Sequence, residues 1–178
     1  MHTEEEKNDK EKAQIQSLRS GNHTVIIATL KDLRVHGKVS ILPELFDLLA
    51  EQENEEIITQ IASILNDLKE QEAAELLSHA VANPDYKEVQ AYLVAACWQN
   101  GLSYAKYVDT FTEVILSGSY TAAIEAFTVI EEVTGDLEEK QRARVVNKLK
   151  TGILKSDDQK KALISELIKV IESYEPDR

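Results

Sequence analysis

Residues 41–68 read ILPELFDLLAEQENEEIITQIASILNDL, two apolar stripes of helical spacing separated only by a short acidic stretch. Ile41, Leu45, Leu48 and Leu49 recur at i, i+4, i+7 and i+8, with Leu42 and Phe46 beside them, so the first helix buries one face. Ser40 is placed to cap its start, and Pro43 sits in the first turn, where a missing N–H breaks no intrahelical bond. Residues Glu51 to Glu56 prefer water and interrupt the pattern; Ile57, Ile61, Ile64, Leu65 and Leu68 restart it. Two helices joined so tightly must run antiparallel and pack on each other.

The same plan recurs along the chain. It precedes this stretch in IQSLRSGNHTVIIATLKDLRVHG, with Ile26, Leu30 and Leu33 in register. It follows in AAELLSHAVANPDYKEVQAYLVAACWQNG, where Asn83 reads as a cap and Pro84 as the first helical residue. Tyr104, Val108, Phe111 and Ile115 then mark one helix, and Ile124, Phe127 and Ile130 its partner. A last unit opens at Asp136, where the spacing to Glu139 resembles a capping box, and ends in ALISELIKVIESY. Gly37, Gly101 and Gly135 each follow a second helix, and Glu70 holds the equivalent place, so unit ends lie 33, 31 and 34 residues apart. Glycine at these points suits the left-handed conformation that stops a helix. A hairpin of this kind cannot cover its own apolar face, and stacking supplies the cover.

ILPELFDLLAEQENEEIITQIASIL, with Leu-Pro in the first helix, an acidic bend and a β-branched residue opening the second, resembles the HEAT-repeat family of armadillo-type α-superhelices. NPDYKEVQAYLVAA is a second match, and the likeness runs over residues 13–175. The chain departs from the family at Ile58 and Gln90, where a basic residue is usual. The resemblance implies an all-α fold, a right-handed α-α solenoid of about five antiparallel hairpins over residues 13–178, with its second helices lining a concave face. Residues 1–12, MHTEEEKNDKEK, are expected to form a charged flexible tail.

Composition supports the class. Ala, Leu, Ile, Glu, Lys and Gln fill the long segments, with only 6 Gly and 3 Pro in 178 residues. No run approaches the ~18 apolar residues of a membrane span, and no secretory leader is visible. The single Cys97, in AYLVAACW, excludes an internal disulfide, fits a reducing cytoplasm, and reads as a small core hydrophobe. A net charge of −12 weighs against a sequence-independent grip on nucleic acid, which needs cations to displace counterions from phosphates.

No chemical constellation stands out. His2, His23, His36 and His79 are scattered and form no ligand spacing, so neither a metal nor a cofactor is expected. No nucleophile elbow occurs, and adjacent pairs such as Glu55 and Glu56 point apart on a helix, so no catalytic residue is assigned. With Val89, Tyr92, Leu93, Ala96 and Cys97 as the core stripe of their helix, Val94 and Trp98 fall on its flank. There Trp98 either anchors a partner or packs against Leu102 and Tyr104. Gln60, Ser63, Asp67, Glu125, Thr128 and Glu132 share that side, giving a polar, acidic concave groove. Lys140, Arg144 and Lys148 recur at i, i+4 and i+8, either as a solvated face or as a stripe for an acidic partner, including another copy of the chain.

These features together lead to a non-enzymatic interaction or scaffold module of the cytoplasm, presenting a curved acidic surface to a protein or peptide that carries basic residues. The alternative implied by the resemblance is a HEAT-like enzyme. A bilin lyase would need a pigment partner, and a DNA glycosylase a basic groove.

Overall fold

The computed structural model describes residues 4–175, and among these every regular element is helical. Ten α-helices follow in order: α1 (Glu4–Leu18), α2 (His23–His36), α3 (Leu42–Glu51), α4 (Glu55–Asn66), α5 (Ala73–Ala82), α6 (Gln90–Gln99), α7 (Val108–Ser117), α8 (Tyr120–Val133), α9 (Glu139–Gly152) and α10 (Asp158–Glu172). Short 3-10 turns lead into α3, α6 and α7 and follow α8 and α9.

α4 shows why these segments are helical. Asn54 stops the preceding chain in extended conformation, and its side-chain oxygen accepts from the N–H groups of Glu56 at 3.0 Å and Ile57 at 3.2 Å. Glu55 and Glu56 then sit where the helix dipole favours negative charge. Ile57, Ile61, Ile64 and Leu65 turn to one side and are buried, as the spacing predicts. Asn22 and Ser119 cap α2 and α8 by the same chemistry.

Each odd-numbered helix packs on the even-numbered helix that follows it. Each also touches the next helix of its own kind: α1, α3, α5, α7 and α9 in one row, α2, α4, α6, α8 and α10 in the other. A single apolar cluster runs between the rows from Leu18 to Ile171. Polar bonds between neighbouring units repeat the spacing seen in the sequence. Arg34 reaches Asp67, Asn66 reaches Gln99, and Gln71 exchanges two bonds with the backbone of Ser103, across 33, 33 and 32 residues.

Several boundaries differ from the sequence reading. Residues 4–12 belong to α1, with Lys10 paired to Asp32 and Glu11 to Lys38, so the division at residue 13 falls inside a helix; residues 1–3 lie outside the described residues. Ser40 is enclosed in the 3-10 turn Val39–Ile41 and caps nothing; Pro43 does occupy the first turn of α3. Asn83 and Pro84 open the 3-10 segment Pro84–Val89, which delays α6 to Gln90. The start of α9 is closed by Gln141, which accepts from the Glu138 N–H at 2.9 Å, in place of the expected Asp136 and Glu139.

The glycines share no common backbone event. Gly101 is left-handed, at φ 71°, as expected. Gly37 is extended, at φ −67° and ψ 153°, and its reason is space: a Cβ there would collide with the Leu33 carbonyl oxygen, which accepts its N–H at 2.6 Å. Gly135 lies within the turn Thr134–Asp136.

Candidate functional site

The outward faces of α4, α6 and α8 form the most distinctive surface. Aligning the buried positions of the three helices, Ile61, Leu93 and Ala126, puts Gln60 and Ser63 of α4 and its C-cap Asp67 in register with Tyr92, Ala95 and Gln99 of α6 and with Glu125, Thr128 and Glu132 of α8. None of these nine residues is buried. Asn66 donates to Gln99 at 2.7 Å, and the Trp98 indole N–H donates to Glu125 at 2.7 Å, so the row is laced across its two seams.

On α4 and α8 the sequence placed the outward residues on this face; on α6 it did not. Val94, expected on the flank, is fully buried and offers no surface to a partner. Tyr92, assigned to the core stripe, is 47 % exposed, and Ile124, read as a core position of α8, is 42 % exposed. The cause is that α6 is apolar nearly all round, with Leu93, Val94, Ala96 and Cys97 all buried, so apolar spacing does not define one stripe. Alignment with α4, whose stripe is unambiguous, would have found Tyr92. Trp98 is half-buried, packed against the core, and its indole N–H is bonded to Glu125 of α8.

Arg34 of α2 pairs with Asp67 at the edge of this surface, and the charge on the three helices themselves has one sign. α4, α6 and α8 contain no Lys, Arg or His, and their acids are Glu55, Glu56, Glu125, Glu131 and Glu132. None of these five is bonded to a cation. Partial desolvation, and then the neighbouring Glu131, push the Glu132 carboxyl above its ordinary range. Apolar side chains gather on the same row: among the described residues, the exposed large hydrophobics are Val25 and Val35 of α2, Tyr92, Tyr120 and Ile124, with Leu154 alone elsewhere.

In the other row, α7 and α9 match charges across their seam. On α9, Arg144 grips Asp109 of α7 with bonds of 3.2 and 2.7 Å, and Lys148 pairs with Glu113 one turn along. Of the basic stripe only Lys140 is left exposed without an ion pair. Arg144 and Lys148 are thus paired within the chain. Beside them lies a cleft of about 340 Å³ lined in part by Asp109, Glu113, Lys148 and Gln90. Gln90 donates to the Val81 carbonyl at 2.8 Å, and its own oxygen is buried without a protein partner.

Elsewhere the polar interior is structural. Cys97 is 1 % exposed, and burial pushes its thiol well above the ordinary value. Buried Asn100 bonds to the Tyr104 hydroxyl, the Leu65 carbonyl and the Leu102 N–H, closing the turn after α6. Lys160 of α10 is buried and donates to the carbonyls of Leu116 and Gly118 at the end of α7. Among the described residues no group of three or more His, Cys, Asp or Glu side chains is arranged to hold a metal, and no helix is long and apolar enough to cross a membrane. No family model matches the chain, and no curated protein does so either.

Proposed function

We propose that the chain is a non-enzymatic interaction module in which the two rows of helices form a HEAT-like, right-handed α-α superhelix and the α4, α6 and α8 face receives a basic segment of a protein partner. One observation carries this reading. Three successive helices of one row expose Tyr92 and Ile124 among five carboxylates and contain no cation to balance them. Anionic charge left unmatched around apolar side chains repels acidic partners and steers basic ones, while burial of the apolar groups holds them. On α7 and α9 of the opposite row, Asp109 and Glu113 are taken up by Arg144 and Lys148, whereas the five carboxylates of α4, α6 and α8 keep their charge for a partner.

The test compares the wild type with two variants as immobilised baits in host lysate, with crosslinking to map the contact. Tyr92→Ala with Glu131→Lys and Glu132→Lys alters the proposed face; Lys140→Ala with Arg144→Ala alters the other. The expected result is a basic partner crosslinked to α4, α6 or α8, held less well in high salt, lost from the first variant and retained by the second. Equal recovery by the first variant, with its helical signal and thermal midpoint intact, would overturn the reading.

A further inference from the structure

Trp98 is the single tryptophan of the chain, and its ring is fixed in place. The bond from its indole N–H to Glu125 Oε2 ties the end of α6 to α8 and sets the plane of the ring. Glu125 is half-buried, and this N–H is the one side-chain donor it meets; its second oxygen, Oε1, has no bonded partner. A carboxylate taken partly out of water ordinarily recruits a cation. None is supplied by α4, α6 or α8.

Tyr92 and Trp98 lie six residues apart on α6, about 9 Å along the axis and about 120° around it, and both keep part of their surface in solvent. Of the two common cations, arginine gains more here. Its flat guanidinium can lie on an indole face while its N–H groups reach a carboxylate oxygen, whereas the ammonium of lysine is compact and strongly hydrated.

We infer that Trp98 and Glu125 form a seat for one arginine side chain of the partner, its guanidinium stacked on the indole and bonded to Glu125 Oε1. The seat rests on the proposed docking of a basic segment at this face and names the residue that the face reads. Charge complementarity selects the occupant, since α4, α6 and α8 carry five carboxylates and no cation. The Trp98 bond supplies what a mere acidic patch lacks, a positioned aromatic plane beside the carboxylate.

Because Trp98 is the only tryptophan, its emission reports the seat alone, while the anisotropy of a dye on a peptide reports binding anywhere. The full chain is titrated with a helical peptide of Ala, Leu and Arg, and with forms in which Lys or citrulline replaces each Arg. The Arg peptide is expected to bind about tenfold more tightly than the citrulline form, a step of ~1.4 kcal/mol, and several-fold more tightly than the Lys form, with Trp98 emission changing in step. Glu125→Gln keeps an acceptor for the indole N–H but removes the charge; it should weaken the Arg peptide about tenfold without moving the thermal midpoint. Trp98→Leu should abolish the preference for Arg over Lys. Peptide binding with unmoved Trp98 emission and no effect of Glu125→Gln would overturn the seat and leave the docking face standing. No binding of either cationic peptide would overturn the docking face, and the seat with it.

Discussion

Tyr86, Cys97 and Tyr104 hold their protons more tightly in the folded chain than in the unfolded one. Burial is the first cause in each; at Tyr86 the hydroxyl also donates to Asp47 at 2.6 Å, and its value rises from 10.0 to about 12. Above pH 9.0, the ordinary thiol value, the unfolded chain releases protons that the folded chain keeps, so stability falls as pH rises. Lys160 acts in the opposite sense: its pKa is lowered by burial, and stability is regained as it loses its proton. Three groups oppose one, and each fully titrating group changes stability by about 1.4 kcal/mol per pH unit. The urea midpoint should therefore hold to about pH 8.5 and then drop, and Cys97→Ala should delay the onset toward the tyrosine range. Much of this was readable in the chain: Cys97 in AYLVAACW announced its burial. Tyr92, five residues before it in the same apolar run, did not announce its exposure, because exposure on α6 is decided by where α4 and α8 stand.

Helices were legible where one stripe was apolar and the rest polar, as in α3 and α4, and their ends were not. A helix end depends on which nearby side chain wins the free backbone groups, and such contests are decided over a few tenths of an ångström. Thus Gln141 closes the start of α9 although Asp136 and Glu139 had the expected spacing. The end of α7 shows a solution no local pattern could contain. Its free carbonyls, Leu116 and Gly118, receive the ammonium of Lys160, which arrives from α10 more than 40 residues later. A cation suits that end of a helix dipole, and the two bonds hold α10 against α7. Lys160→Met keeps most of the stem and removes the donor; it should cost about 1–3 kcal/mol in urea unfolding, while exposed Lys155→Met should cost next to nothing.

Each helix of one row touches the next of that row, so the repeat in the sequence is also a repeat of contacts, and the Arg34–Asp67 and Asn66–Gln99 bonds mark its step. The rows differ in how they treat charge, a distinction the sequence concealed. The acids of Glu44–Glu75 and the bases of Lys140–Lys161 look like opposite poles along the chain. In space, Arg144 and Lys148 find Asp109 and Glu113 from the previous unit, so part of the basic pole is paired within the chain, while α4, α6 and α8 keep five carboxylates and no cation.

Cys97 lies midway along this assembly, walled in by the helices on either side, and it is the one thiol the chain owns. A disulfide reagent in the solvent therefore serves as a stopwatch on the middle of the molecule, since the sulfur can react only while its surroundings are open. If the units rise and fall together, the free energy drawn from the labelling rate should equal that from urea. A lower figure would mean that the centre breathes alone, like a book that parts at one page while its covers stay shut.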